Sequence, residues 1–136
     1  MNIVKAQIRK DHFSTTIQSG SNNQIMADEP LDVGGMNTGF SPGELLCASL
    51  AACITITLRM YADRKQWPLE HADVQVTLLR DTQLNTSSMQ SSIRLTGNLT
   101  DEQKQRLLEI GDRCSIHKIL THPIHIHTVL EEDNSI

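Results

Sequence analysis

The sequence predicts an α+β fold, with one long helix set between groups of short strands, and three observations predict it. Short β-compatible segments separated by turn residues fill the first 28 positions. A strong helix start at Ser41-Pro42-Gly43-Glu44 opens a run with no helix breaker as far as Lys65. Beyond Pro68 the pattern returns to apolar/polar alternation, then to a second, shorter helical stripe. A chain of 136 residues fits one domain with a modest core, and residues 1–136 are read as that domain, without repeat or linker.

Taken in order, residues 3–9 and 13–18 have strand length, and Lys10-Asp11-His12 between them reads as a hairpin turn. Ser19-Gly20-Ser21-Asn22-Asn23 is a turn cluster, after which residues 24–28 add a third strand. Pro30, Gly34, Gly35 and Gly39 make the stretch 29–40 a loop. Ser41 can then cap a helix, Pro42 suits its first turn, and Glu44 completes a capping box. A helix over 42–65 measures roughly 35 Å at the usual rise per residue. Its first half, 45–54, is apolar or small all round and is expected to be surrounded by other structure. The later half regains a wet side around Arg59, Asp63, Arg64 and Lys65. Ile54-Thr55-Ile56-Thr57 alone favours a strand, but the start signal and the continuity of the pattern outweigh it.

Trp67-Pro68 ends the helix. In residues 71–79, Ala72, Val74, Val76 and Leu78 alternate with Asp73, Gln75 and Thr77, as in a half-buried strand. Residues 81–88 are turn-like, and 89–96, with Ile93 and Leu95, form the next strand before Gly97-Asn98 breaks it. Thr100 and Gln103 start a second helix with Asp101 and Glu102 at its positive end. Leu107, Leu108 and Ile110 supply its apolar stripe before Gly111. Residues 123–130 read as a last strand, followed by an acidic, polar tail at 131–135.

A formal charge of −4 gives no global attraction to DNA or anionic lipid, and no Lys/Arg run interleaves with aromatics, so no nucleic-acid partner is expected. The longest apolar stretch, 45–58, is broken by Ser49, Thr55 and Thr57, and is read as a core helix rather than a membrane span. The N-terminus lacks the apolar core of a secretory signal. Three cysteines form no extracellular framework, which favours a reducing, cytoplasmic setting.

Each thiol is open to three readings: core filler, metal ligand or redox residue. Cys47 and Cys53 stand six residues apart on one helix, nearly five thirds of a turn, and are poorly placed to bridge each other. Both suit a buried apolar helix as small hydrophobes. Cys114 follows a helix, beside Arg113 and three positions before His117. If it begins a new helical turn, the helix N–H groups and Arg113 would favour its thiolate. Cys114-x-x-His117 with His122, His125 and His127 offers metal-ligand types, but lacks the second compact Cys pair of a structural zinc site, and no metal is expected. Gly34-Gly35-x-x-x-Gly39 lacks the ending of a phosphate loop.

Two remote cysteines become useful together in peroxide chemistry. One thiolate attacks a peroxide oxygen and becomes a sulfenic acid, and a second thiol condenses with it and releases water.

The chain resembles the OsmC/Ohr superfamily through Asp28-Glu29-Pro30, Gly34-Gly35, and Gly39-Phe40-Ser41-Pro42-Gly43-Glu44-Leu45-Leu46 leading through Ala48-Ser49-Leu50-Ala51-Ala52-Cys53. The likeness continues in Thr57-Leu58-Arg59-Met60-Tyr61-Ala62 and Arg113-Cys114-Ser115-Ile116-His117-Lys118. This resemblance implies an α+β fold with a long central helix and curved antiparallel sheets, assembled as an intertwined homodimer. It implies reduction of organic hydroperoxides, with Cys53 as peroxidatic nucleophile and Cys114 as resolving cysteine. The reductant it implies is a dithiol or a lipoylated protein, and no cofactor is required. The family's catalytic glutamate, ten residues before the first cysteine, falls on Gly43 here, and Glu44 stands one position away. The family's activating arginine comes from the N-terminal hairpin, where Arg9 is the candidate. The departure at Gly43 places the chain nearer the less characterised OsmC-like branch than the standard organic hydroperoxide resistance proteins. The rival expectation is a non-catalytic small-molecule-binding or redox-sensing protein that keeps the fold and both thiols.

Overall fold

The computed structural model describes residues 1–133. Among them the order is β1 (Val4–Ile8), β2 (Thr15–Ser19), β3 (Gln24–Ala27), α1 (Pro42–Lys65), β4 (His71–Asp81), β5 (Thr86–Thr96), α2 (Asp101–Gly111) and α3 (Ser115–Leu120). The strands form two antiparallel sheets, β1-β2-β3 and β4-β5, so the α+β expectation and the long helix both hold. Ile17 of β2 faces Ala6 on one side and Ile25 on the other. The β4–β5 hairpin pairs His71 with Thr96 at one end and Asp81 with Thr86 at the other, extending further into the 81–88 stretch than its polarity suggested.

The reciprocal capping box starts α1 as its sequence requires. The Ser41 hydroxyl accepts from the Glu44 N–H at 3.2 Å, and the Glu44 carboxylate accepts from the Ser41 N–H at 3.2 Å. The helix stops at Gln66, whose left-handed conformation turns its N–H back to the Ala62 and Asp63 carbonyls. One stripe of α1, Leu50, Ile54, Leu58, Tyr61 and Ala62, is buried at the spacing of a single helix face. Leu58 is fully buried, as is Leu107 of α2, and Ile110 joins them. Ala72, Val74 and Val76 of β4 and Met89, Ile93 and Leu95 of β5 close the same core from the sheet.

One expectation is corrected here. Leu108 is half-exposed, because one residue turns the helix by about 100° and carries it off the face that Leu107 and Ile110 share. The 45–54 half of α1 is not enclosed within one chain: Leu50 and Ile54 are buried while Leu46 stays exposed. By length and apolarity alone α1 could cross a membrane, yet its buried face is packed on α2 and β4.

The β1-β2-β3 sheet makes no extensive packing against the helices or β4-β5 of its own chain. Ile3, Val4, Ile8, Ile25 and Met26 are therefore left exposed. Asp28 organises the loop that joins this sheet to α1. Its carboxylate is buried and accepts from the Thr38 hydroxyl at 2.6 Å and from the N–H groups of Thr38, Met36 and Glu29. The loop doubles back so tightly that a Cβ on Gly35 would collide with the Glu29 carbonyl.

The strand expected over 123–130 does not form. This segment has the alternation of a strand, but among the described residues no strand lies beside it to take its backbone hydrogen bonds, and Ile124, Ile126 and Leu130 are exposed. Of the expected tail, positions 134 and 135 lie outside the described residues.

Candidate functional site

Cys53 precedes the buried Ile54 by one position and is half-buried on the flank of the apolar stripe of α1. Opposite it, α2 ends at Gly111, which has no side chain to hold the two helices apart. A Cβ there would stand 3.2 Å from Ile93 and 3.5 Å from Ile54. The chain then turns through Asp112 and Arg113, whose N–H returns to the Ile110 carbonyl, and delivers Cys114 to the N-cap of α3. Helix α3 packs on α1, so residues 61 positions apart in sequence become neighbours.

At this junction the Cys53 sulfur lies 3.5 Å from the Ser115 hydroxyl. Cys114, the residue before Ser115, is brought beside Cys53 by the same packing of α3 on α1. Cys114 is 2 % exposed, and its sulfur accepts from the His117 N–H at 3.3 Å. All three cysteines are free thiols.

The two neighbouring thiols have opposite acidities. Burial pushes Cys53 up, but hydrogen bonds from the Ser115 hydroxyl, the Ile116 backbone, the Cys114 side chain and the Ser115 backbone outweigh it, leaving Cys53 below the ordinary thiol value. Burial pushes Cys114 up, and although the His117 N–H opposes this, the hydrogen bond and negative charge of Cys53 hold it above the ordinary value. The expectation that helix N–H groups and Arg113 favour a Cys114 thiolate is thus corrected. The thiol does cap a helix, but it is too deeply buried for that to prevail, and only one of the pair can readily ionise.

Of the other residues singled out in the sequence, Glu44 lies exposed in its capping box. With Cys47 it borders an apolar groove of about 600 Å³ between the start of α1 and β4, away from the Ser115 contact. Arg9 follows β1 on the sheet that leaves the core uncovered, and makes no hydrogen bond or ion pair among the described residues. His117 contributes its backbone rather than its ring to Cys114. Among the described residues no three His, Cys, Asp or Glu side chains gather as a ligand set. Ser115 is the site residue that sequence reasoning missed. Its only signal was its place directly after Cys114 at the start of a helical turn.

The pair can therefore do two-electron thiol chemistry: one sulfur gives up its proton more easily than an ordinary thiol and is partly accessible, while the other holds its proton more tightly and is buried. Residues 35–129 match the family model of the OsmC-like proteins, a stretch that includes both Cys53 and Cys114. Among solved structures, the chain is similar to a protein of Psychrobacter arcticus named for osmotic stress induction and detoxification response, with a TM-score of 0.76 and 25% identity over 92% of this chain and 89% of that one. It is also similar to an OsmC-like protein of Mycoplasma pneumoniae, with a TM-score of 0.74 and 22% identity over 89% and 87% of the two chains. An organic hydroperoxide resistance protein of Legionella pneumophila shares the fold, with a TM-score of 0.64 and 18% identity over 88% of each chain. Comparison with curated protein sequences finds no match.

Proposed function

This chain belongs to the OsmC-like protein family, and from that membership we propose that it is a thiol-dependent peroxidase that reduces organic hydroperoxides. The observation that carries the reading is the packing of α3 on α1, which brings a partly accessible Cys53 with a lowered pKa beside a buried Cys114 with a raised one. The Cys53 thiolate attacks the terminal oxygen of the hydroperoxide and the O–O bond breaks. The alkoxide leaves with a proton from solvent as an alcohol, and Cys53 becomes a sulfenic acid. The Cys114 thiol then displaces the sulfenic hydroxyl, losing its own proton, so that water leaves and a Cys53–Cys114 disulfide forms. A dithiol, free or carried on a lipoylated protein, supplies two electrons and two protons to restore both thiols.

In this reading Cys53 is peroxidatic and Cys114 resolving, Glu44 remains the helix cap, and Arg9 reaches a catalytic centre only by crossing to a second copy. A homodimer supports that crossing. The apolar side chains left bare on β1-β2-β3 and on the outer side of α1 suit a partner of the same sequence, with curved sheets shared between the chains. Gly43 at the position of the family glutamate is the ground for reading the chain as nearer the OsmC-like branch, and three cysteines without an extracellular framework are the ground for reading it as cytoplasmic.

Peroxide consumption tests the function. Pure protein with dithiothreitol or a dihydrolipoyl donor is expected to consume cumene or tert-butyl hydroperoxide, and Cys53→Ser to abolish it. No consumption, together with indifference to Cys53→Ser, would sink the enzyme reading in favour of a binding or redox-sensing role.

A further inference from the structure

We propose that the Ser115 hydroxyl is the group that holds the Cys53 sulfur in its reactive, ionised form, donating a hydrogen bond across the α1–α3 junction. The inference deepens the peroxidase reading and rests on it for the purpose of that ionised sulfur. Its basis is geometric: Ser115 Oγ stands 3.5 Å from Cys53 Sγ, within range for a large, soft acceptor. While Cys53 is a thiol, either atom can donate. Once the proton has left for solvent the sulfur has none to give, and the freely rotating hydroxyl turns its hydrogen toward the charge. A hydrogen bond to an ionised acceptor is about twice as strong as a neutral one, so this contact favours the thiolate.

Two further observations single out Ser115. No charged side chain hydrogen-bonds to Cys53 or forms an ion pair with it among the described residues, so within one copy no described cation takes the task. The titratable group facing Cys53 from the adjoining element is Cys114, and its proton is lost when the disulfide forms. The Ser115 hydroxyl keeps its proton through the whole cycle. Ser115 is also exposed, so removing its oxygen leaves the core intact.

The test is the pH dependence of Cys53 alkylation by iodoacetamide, with each cysteine read separately by peptide mass spectrometry, in the wild type, S115A and S115T. S115A is expected to raise the Cys53 midpoint by about one pH unit and slow its alkylation at neutral pH up to about tenfold. S115T, which keeps a hydroxyl, should restore the wild-type profile, and the Cys47 midpoint should not move. S115G repeats the deletion should alanine disturb α3. An unchanged Cys53 midpoint in a folded variant lacking the hydroxyl overturns the proposal. Alkylation needs no peroxide, so this outcome is independent of turnover. Peroxidase activity with an unmoved midpoint would remove Ser115's role alone, and a moved midpoint without activity would remove only the peroxidase reading.

Discussion

Arg106 of α2 donates a 3.1 Å hydrogen bond from Nε to the hydroxyl of Tyr61 on α1. The same guanidinium pairs with Glu109 at 3.1 Å, and the Tyr61 ring packs edge-on against Trp67 with centroids 5.5 Å apart. This contact fixes α2 against α1 two turns before the chain reaches Cys114. Tyr61→Phe keeps the ring and deletes the bond. The expected outcome is a lower thermal midpoint by a few degrees and slower formation of the Cys53–Cys114 disulfide, followed by circular dichroism and timed thiol trapping. An unaltered disulfide rate would show that core packing alone sets the register.

Leu58 is fully buried in the middle of α1. Leu58→Ala should cost about 2–5 kcal/mol, through lost burial and the cavity left among rigid neighbours. Urea unfolding measures it, and a cost below about 1 kcal/mol would mean that the core collapses around the gap.

Mild oxidation with a hydroperoxide should link Cys53 to Cys114 and leave Cys47 free, because Cys47 faces the groove beside β4. Cys114→Ser should strand Cys53 as a sulfenic acid that over-oxidises, while Cys53→Ser should prevent the first step. Peptide mapping before and after reduction identifies the linkage. A dominant Cys47–Cys114 bond would contradict the role assignments.

Asp28 gives a pH signature of stability. The Thr38 hydroxyl foremost, helped by the N–H groups of Thr38, Glu29 and Met36 and opposed by burial, holds its carboxyl below its ordinary value of 3.8. In the acid range the unfolded chain therefore binds more protons than the folded one. The stabilisation is complete above the unfolded value and is lost as pH falls through the folded one. Asp28→Asn should lower the melting temperature near neutrality and flatten its acid limb. Parallel melting curves for the two proteins across the acid range would argue against this account.

Light scattering should give about twice the 15.2 kDa chain mass. A compact particle at the monomer mass across a tenfold dilution would mean that the bare faces of β1-β2-β3 and α1 are tolerated by a single copy, and would remove the intertwined architecture.

The sequence by itself determined the local elements. Ser41, Pro42 and Glu44 marked the start of α1, Thr100 and Gln103 that of α2, and the Ala72-to-Leu78 alternation gave the inner face of β4, because capping and periodicity are short-range effects. Cys53 and Cys114 could be singled out as a pair only through family resemblance, since nothing local relates positions 61 apart. Tertiary structure decided what depends on neighbours distant in sequence. Residues 123–130 carry a strand pattern, but a strand needs an adjacent strand to satisfy its backbone, and the described residues supply none there. Leu46 looked like a core residue, yet it borders an open cavity with Leu78, Met89 and Leu120 and stays exposed. The acidity expected of the Cys114 thiol was overturned for the same reason. Helix N–H groups and Arg113 are visible beside Cys114 in the sequence, but its burial, and the Ser115 hydroxyl placed against Cys53, arise only when α3 packs on α1.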